Sequence, residues 1–152
     1  MLRSLAVLVV ALFVVSCGAT SVCVGTNCTC PGSTTCTFDT CSSTTSNCNL
    51  VCRTNATCAG TCGETCNVTC SGSRQCTHTV GLGSNVVCDG ASCTITCTDA
   101  CTVSVSANAT AAITCKKGCT VGSLDGTAST TVTCASGNAN PTVAGQPTGC
   151  AN

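Results

Sequence analysis

Large side chains are almost missing from this sequence. It holds no Trp, no Tyr and one Met, and of its two Phe only Phe38 lies beyond the first twenty residues. A domain of this length normally builds its core around such residues, so a conventional core is excluded. Charge is scarce as well. Beyond Arg3, four basic residues (Arg53, Arg74, Lys116, Lys117) face five acidic ones (Asp39, Glu64, Asp89, Asp99, Asp125), a net charge of −1. That leaves no basic patch for nucleic acid or acidic lipid. After the N-terminal stretch no apolar run is long enough to span a membrane. Paired Cys-x-x-Cys zinc spacing, a Gly-rich phosphate loop, a Ser-His-Asp grouping and a paired-carboxylate pattern are all missing too. The expectation is a non-enzymatic chain with no cofactor and no metal.

Cysteine is what the chain has in excess, with 21 in 152 residues. The N-terminus explains the compartment: Arg3, an apolar run from Leu5 to Val15, then small residues, which reads as a secretory signal. In an exported chain this density of cysteine reads as a disulfide framework rather than reduced thiols.

The cysteines keep a beat. Cys30, Cys48 and Cys66 are each 18 residues apart, followed by Ser84, Cys101 and Cys119 at steps of 18, 17 and 18. A second series, Cys41, Cys58, Cys76, Cys93, Ala111 and Thr130, runs at steps of 17, 18, 17, 18 and 19. Such a period means one small unit stacked many times. Aligned on the beat, segments such as Cys66-Asn-Val-Thr-Cys70 and Cys93-Thr-Ile-Thr-Cys97 alternate with period two, and turn formers such as Asp89-Gly90 and Lys117-Gly118 lie between them. Positions one, three and five carry Cys, Val or Ile and face inward; positions two and four carry Thr, Asn and Ser and face outward. The expected fold is an all-β, small disulfide-rich β-solenoid, with about 18 residues and two short strands per turn. An antiparallel sandwich would also give short strands and frequent turns, but not equivalent positions recurring through five turns.

The expected organisation is a signal over residues 1–17, an N-terminal cap and first turn over 18–47, the repeat solenoid over 48–134 and a disulfide-held tail over 135–152.

Comparison of repeats suggests the bridges. Cysteine stands at both ends of one corner in three turns: Cys52 with Cys58, Cys70 with Cys76, Cys88 with Cys93. In the next two turns both are lost, as Val105 with Ala111 and Ser123 with Thr130. At the other corner Cys62 precedes Cys66, Cys97 precedes Cys101 and Cys115 precedes Cys119, while Val80 is matched by Ser84. Paired retention and paired loss are what a covalent bond across each corner predicts. By extension Cys36 joins Cys41 and Cys134 joins Cys150. Cys23, Cys28, Cys30 and Cys48 stay unordered at this level. Bridging between stacked turns is the competing scheme, and it requires no paired loss within a corner.

The signal ends in Val14-Val15-Ser16-Cys17-Gly18, which resembles the lipobox of bacterial lipoproteins. That resemblance implies a lipid on Cys17, a membrane partner through that anchor, and an envelope or outer-membrane location. The rival expectation is cleavage after Gly18 or Ala19 and release as an extracellular protein. Removing Cys17 leaves an even 20 cysteines in either case. In style the whole chain resembles the cysteine-rich repetitive lipoproteins of bacterial envelopes, which implies a structural, adhesive or binding role.

Outward threonines of the second strands form the candidate surface row: Thr77 and Thr79, Thr94 and Thr96, Thr114, and Thr131 and Thr133, with Ala112 interrupting one column and Ala59 standing before Thr61. The pattern resembles the Thr-x-Thr arrays of disulfide-rich insect antifreeze solenoids, and so implies ice binding by a soluble secreted protein as the alternative function. His78, the only histidine, occupies an inward third position and reads as a core residue. Asn27, Asn55, Asn67 and Asn108 stand in N-x-S/T sequons.

Overall fold

Period-two segments flanked by turn residues become short strands throughout. The computed structural model describes residues 21–106, 108–123, 129–135, 139–141 and 148–150. The signal segment, Cys17 and the alternative cleavage positions lie outside the described residues. In chain order the strands are β1 (Val22–Val24), β2 (Asn27–Cys30), β3 (Thr35–Phe38), β4 (Asn49–Cys52) and β5 (Thr57–Cys62). Then come β6 (Asn67–Ser71), β7 (Gln75–Val80), β8 (Asn85–Asp89), β9 (Ser92–Cys97) and β10 (Thr102–Val105). The last are β11 (Thr110–Cys115), β12 (Thr120–Ser123), β13 (Ser129–Cys134), β14 (Ala139–Pro141) and β15 (Thr148–Gly149).

The chain winds as a β-solenoid of about six turns, each giving one strand to each of two sheets. The first sheet has the order β1-β2-β4-β6-β8-β10-β12-β15, and the second β14-β13-β11-β9-β7-β5-β3. Neighbouring turns pair in parallel, with like residues in register: Asn49 with Asn67, Asn67 with Asn85, Cys97 with Cys115. Only the ends are antiparallel. The hairpin strand β1 closes the first sheet on β2, and β15 and β14 close the far ends of the two sheets on β12 and β13.

The core is a narrow double column of third-position side chains. From the first sheet come Cys28, Leu50, Val68, Val86, Val103 and Val121. From the second come Phe38, Gly60, His78, Ile95, Ile113 and Val132. Apart from Gly60 all of these are buried. Valine suffices because the sheets are tied together at their edges. Nine disulfides span the corners with Cα–Cα distances of 5.6–6.4 Å, within the ordinary range for a bridge. A tenth, Cys23–Cys28, closes the β1–β2 hairpin.

Cys52–Cys58, Cys70–Cys76 and Cys88–Cys93 staple one corner; Cys62–Cys66, Cys97–Cys101 and Cys115–Cys119 staple the other. Cys134–Cys150 ties β13 to the residue after β15. The expected Cys36–Cys41 bond is not formed: Cys36 joins Cys30, and Cys41 joins Cys48. The reason is an insertion in the first turn. Asn27 pairs with Asn49, a step of 22 residues, whereas Asn49 pairs with Asn67 after 18. The extra residues enter between β3 and β4. They shift Cys41 past the end of β3 to one corner while Cys36 points to the other. Cys30 accordingly lies beside Cys52 and Cys36 beside Cys58. The 17-residue step from Cys41 to Cys58 is a coincidence of spacing.

Corners stack as regularly as strands. At one corner Asn47, Thr65, Gly83, Ala100 and Gly118 all have positive φ, between 38° and 68°. Amides in this column donate to the turn above: Asn47 N to Glu64 O at 3.0 Å, Thr65 N to Leu82 O at 2.8 Å, Ala100 N to Lys117 O at 2.9 Å. These inter-turn bonds hold even Thr65 in a conformation that β-branched residues rarely adopt. Gly81 meets a stricter demand. A Cβ there would lie 2.3 Å from the carbonyl oxygen of Gly63, so no larger residue fits without moving the corner.

Where a bridge is missing, other contacts fill the space. Ser84 is fully buried, and its Oγ accepts from the Cys66 amide at 3.1 Å. Val105 and Ala111 are both buried at their corner. Copying that corner with Cys70→Val and Cys76→Ala together is expected to cost about 2 kcal/mol in guanidinium unfolding, the loop-entropy value of one short bridge. Cys76→Ala alone is expected to cost more and to scramble neighbouring bridges, visible by non-reducing peptide mapping, because it leaves a thiol beside other disulfides. A double variant less stable than the single one would contradict the bridge acting as a unit.

Candidate functional site

The outer face of the second sheet gathers the threonines that the sequence singles out. Each of its strands presents alternate residues outward, and parallel in-register pairing lines these up along the solenoid. One column reads Thr61, Thr79, Thr96, Thr114, Thr133, five threonines without a break. Beside it run Thr37, Ala59, Thr77, Thr94, Ala112 and Thr131. A third column holds Thr35, Thr57 and Gln75, then Ser92, Thr110 and Ser129. Thr94, Thr114, Thr131 and Thr133 are exposed, while Thr77, Thr79 and Thr96 are half-buried. Within a strand the outward positions are about 6.6 Å apart, and between strands about 4.8 Å. The result is a regular lattice of hydroxyl and methyl groups.

Charge is kept to the margin of this lattice, where the Asp39 carboxylate accepts from Thr37 Oγ1 at 3.3 Å. The charged side chains among the described residues stand at corners, next to corners or at the end of β8. One pair is close, Lys117 Nζ to Asp99 at 3.6 Å, at an exposed corner where such a contact contributes little. The Asp89 carboxylate accepts a short hydrogen bond from Ser106, next to the neighbouring turn's strand.

The opposite sheet has a different face. Asn27, Asn49, Asn67 and Asn85 form one column, continued by Thr102 and Thr120. The sequon residues Asn27 and Asn67 belong to this column, and Asn55 and Asn108 sit at corners with positive φ. No sequon asparagine stands on the threonine face. The asparagine column is visible in the sequence once the register is known, as a repeated second position.

His78 is buried, as its third position implies, and it has an unusual setting. Gly60 lies between it and Phe38 in the inner column, and the two rings stack with centroids 5.6 Å apart. A Cβ on Gly60 would meet Phe38 Cβ at 3.1 Å and His78 ring atoms at 3.3 Å, so glycine here makes room for the ring pair. Neither ring nitrogen finds a hydrogen-bond partner of good geometry. Burial pushes its pKa from 6.5 down to about 4, with the Gly60 backbone offsetting part of the effect. The sulfur atoms of Cys48, Cys62 and Cys66 lie within 4.8 Å of one another. All three are spent in disulfides, so they offer no thiolate to a metal. Cys17, the expected lipid site, lies outside the described residues. Among the described residues no helix is long and apolar enough to cross a membrane.

No protein-family model, curated protein or solved structure matches the chain.

His78 sets an acid limit on stability. The unfolded chain binds its proton near pH 6.5 and the folded chain only near 4. Stability therefore falls as pH drops through that window and levels off below it, by about 3 kcal/mol in all. His78→Ile, which copies Ile95 and Ile113 one and two turns on, is expected to abolish this loss in unfolding midpoints measured from pH 7 to 3.5. An unchanged pH slope in the variant would assign the acid limit to other groups.

Proposed function

We propose that this chain is a non-enzymatic, disulfide-stabilised lipoprotein of the cell envelope, which holds a rigid binding face away from the membrane. The observation that carries the binding part is the uncharged, in-register threonine face of the second sheet. Ten disulfides support the exported location, since bridges at this density persist in oxidising compartments. The lipobox-like Val14-Val15-Ser16-Cys17 supports the anchor. Intact-mass analysis of the protein made in a bacterium with lipoprotein processing is expected to find a diacyl or triacyl adduct on Cys17. Cys17→Ala is expected to abolish the adduct and shift the protein from the membrane to the soluble fraction. A mature chain beginning at Ala19 or Thr20 would refute the anchor.

A second reading is a soluble ice-binding protein. The unbroken column from Thr61 to Thr133 favours it, because a regular array can match an ordered water surface at many points at once. The oxidised protein is then expected to inhibit ice recrystallisation, and Thr114→Lys, which breaks the column, to remove that inhibition. No inhibition at high protein concentration ends this reading.

A further inference from the structure

The threonine face is not uniform along its length. At its N-terminal end the loop of the first turn, residues 39–47, borders an open groove of about 610 Å³ on this face. That volume is in the range of small-ligand sites. The loop side contributes Asp39, Ser42 and Ser43; the floor is Thr37, Ala59, Gly60, Thr61, Thr77 and Thr79. The groove is preformed. The Cys41–Cys48 bridge closes the loop on itself, and Thr45 N bonds Ser42 O at 3.0 Å. Its far end is fastened to the next turn by Gly63 N to Thr45 O and Asn47 N to Glu64 O, both 3.0 Å. A loop held at both ends loses little freedom when a ligand enters.

We infer that this groove binds a neutral carbohydrate chain. Its lining is mainly apolar, with Phe38 and Cys41 taking part, but Thr and Ser side chains set hydroxyl groups into it, which both donate and accept, as sugar hydroxyls do. Asp39 adds a carboxylate on the rim, a strong acceptor for sugar hydroxyls. No Lys or Arg lines the groove, so an anionic polymer would meet a carboxylate without a counter-charge. Threonine methyls, Ala59 and Gly60 give the floor apolar ground for the C–H face of a pyranose ring. A peptide fits less well. The floor strands β5 and β7 are paired on both sides, and on the sheet's edge strand β3 the Thr37 carbonyl already accepts from Ser21 Oγ at 3.1 Å, which leaves little open backbone edge for strand addition. Ala59 is the specific device. Its neighbours in the column are Thr37 and Thr77, and the smaller side chain leaves a hollow in the floor between them.

This inference rests on the reading of the chain as an exported binding protein, and supplies the ligand class. The test uses the oxidised, processed protein and isothermal titration with cellohexaose, maltohexaose, N-acetylchitohexaose and oligoalginate. At least one neutral oligosaccharide is expected to bind, and oligoalginate is not. Ala59→Thr restores the residue found on both neighbouring ranks, so it keeps the fold while filling the floor; it is expected to weaken binding about tenfold or more. Asp39→Asn is expected to weaken it by about tenfold. Thr102→Lys, on the opposite sheet, is expected to leave it unchanged. Binding that survives Ala59→Thr in a protein with unaltered melting temperature would place the carbohydrate elsewhere and overturn the proposal. So would the absence of binding to every neutral oligosaccharide. In a protein that still carries lipid on Cys17, either result removes the groove and leaves the anchored lipoprotein standing.

Discussion

The disulfide that spans most of the corners is the constraint from which the rest of this structure follows. It brings the end of one sheet and the start of the other to Cα–Cα separations near 6 Å. Between edges held that close, Val, Ile and Cys fill the interior. Large aromatic residues are dispensable there, and the one present, Phe38, stands next to Gly60 in the column. A short loop gains only about 2 kcal/mol from its bridge in the chain-entropy model. The bridge also has a geometric effect, because a fixed corner helps to set the register of the next strand.

That register is maintained by backbone as well as by sulfur. Inter-turn hydrogen bonds at both corners repeat at the same step as the strand ladders. Two corners without bridges, Val80 to Ser84 and Val105 to Ala111, show that the backbone frame carries across a missing bond. Ser84 keeps a polar contact to the turn before it, and Val105 with Ala111 fills the corner with methyl groups. Loss in pairs then has a simple physical reason. One cysteine without its partner leaves a buried thiol among disulfides, which can exchange; two apolar residues leave only a gap to be packed.

Much of this was legible in the sequence, since each repeat is a comparison for its neighbours. The inward column of Val68, Val86, Val103 and Val121, the outward threonines and the buried position of His78 all follow from period two and the 18-residue step. The first turn was not legible. Its insertion breaks the beat, yet Cys41 happens to lie 17 residues before Cys58 and so mimics an unbroken one. A register carried through that insertion pairs Cys36 with Cys41, whereas its partner is Cys30. Spacing alone cannot separate an inserted residue from a repeated one when both are cysteine. For the same reason the groove was invisible. It depends on where the inserted loop folds back, which no other repeat duplicates.

Repetition and specificity pull in opposite directions in such a molecule. Identical ranks make a regular face that can touch an extended, regular surface, but they offer no single place where one ligand differs from another. Discrimination requires a break in the pattern. Several breaks on the second sheet fall together at one end: Ala59 in a threonine column, Gly60 in the inner column, the Phe38–His78 pair around it, and the inserted loop above. Gly60 links the inside to the outside. Its missing side chain admits the ring pair below, while the neighbouring Ala59 lowers the floor above. A core accommodation and a surface hollow thus share one strand, β5. The regular turns from β8 to β13 then serve as a rigid extension that holds this end in place, with Ala112 their one departure in the threonine columns.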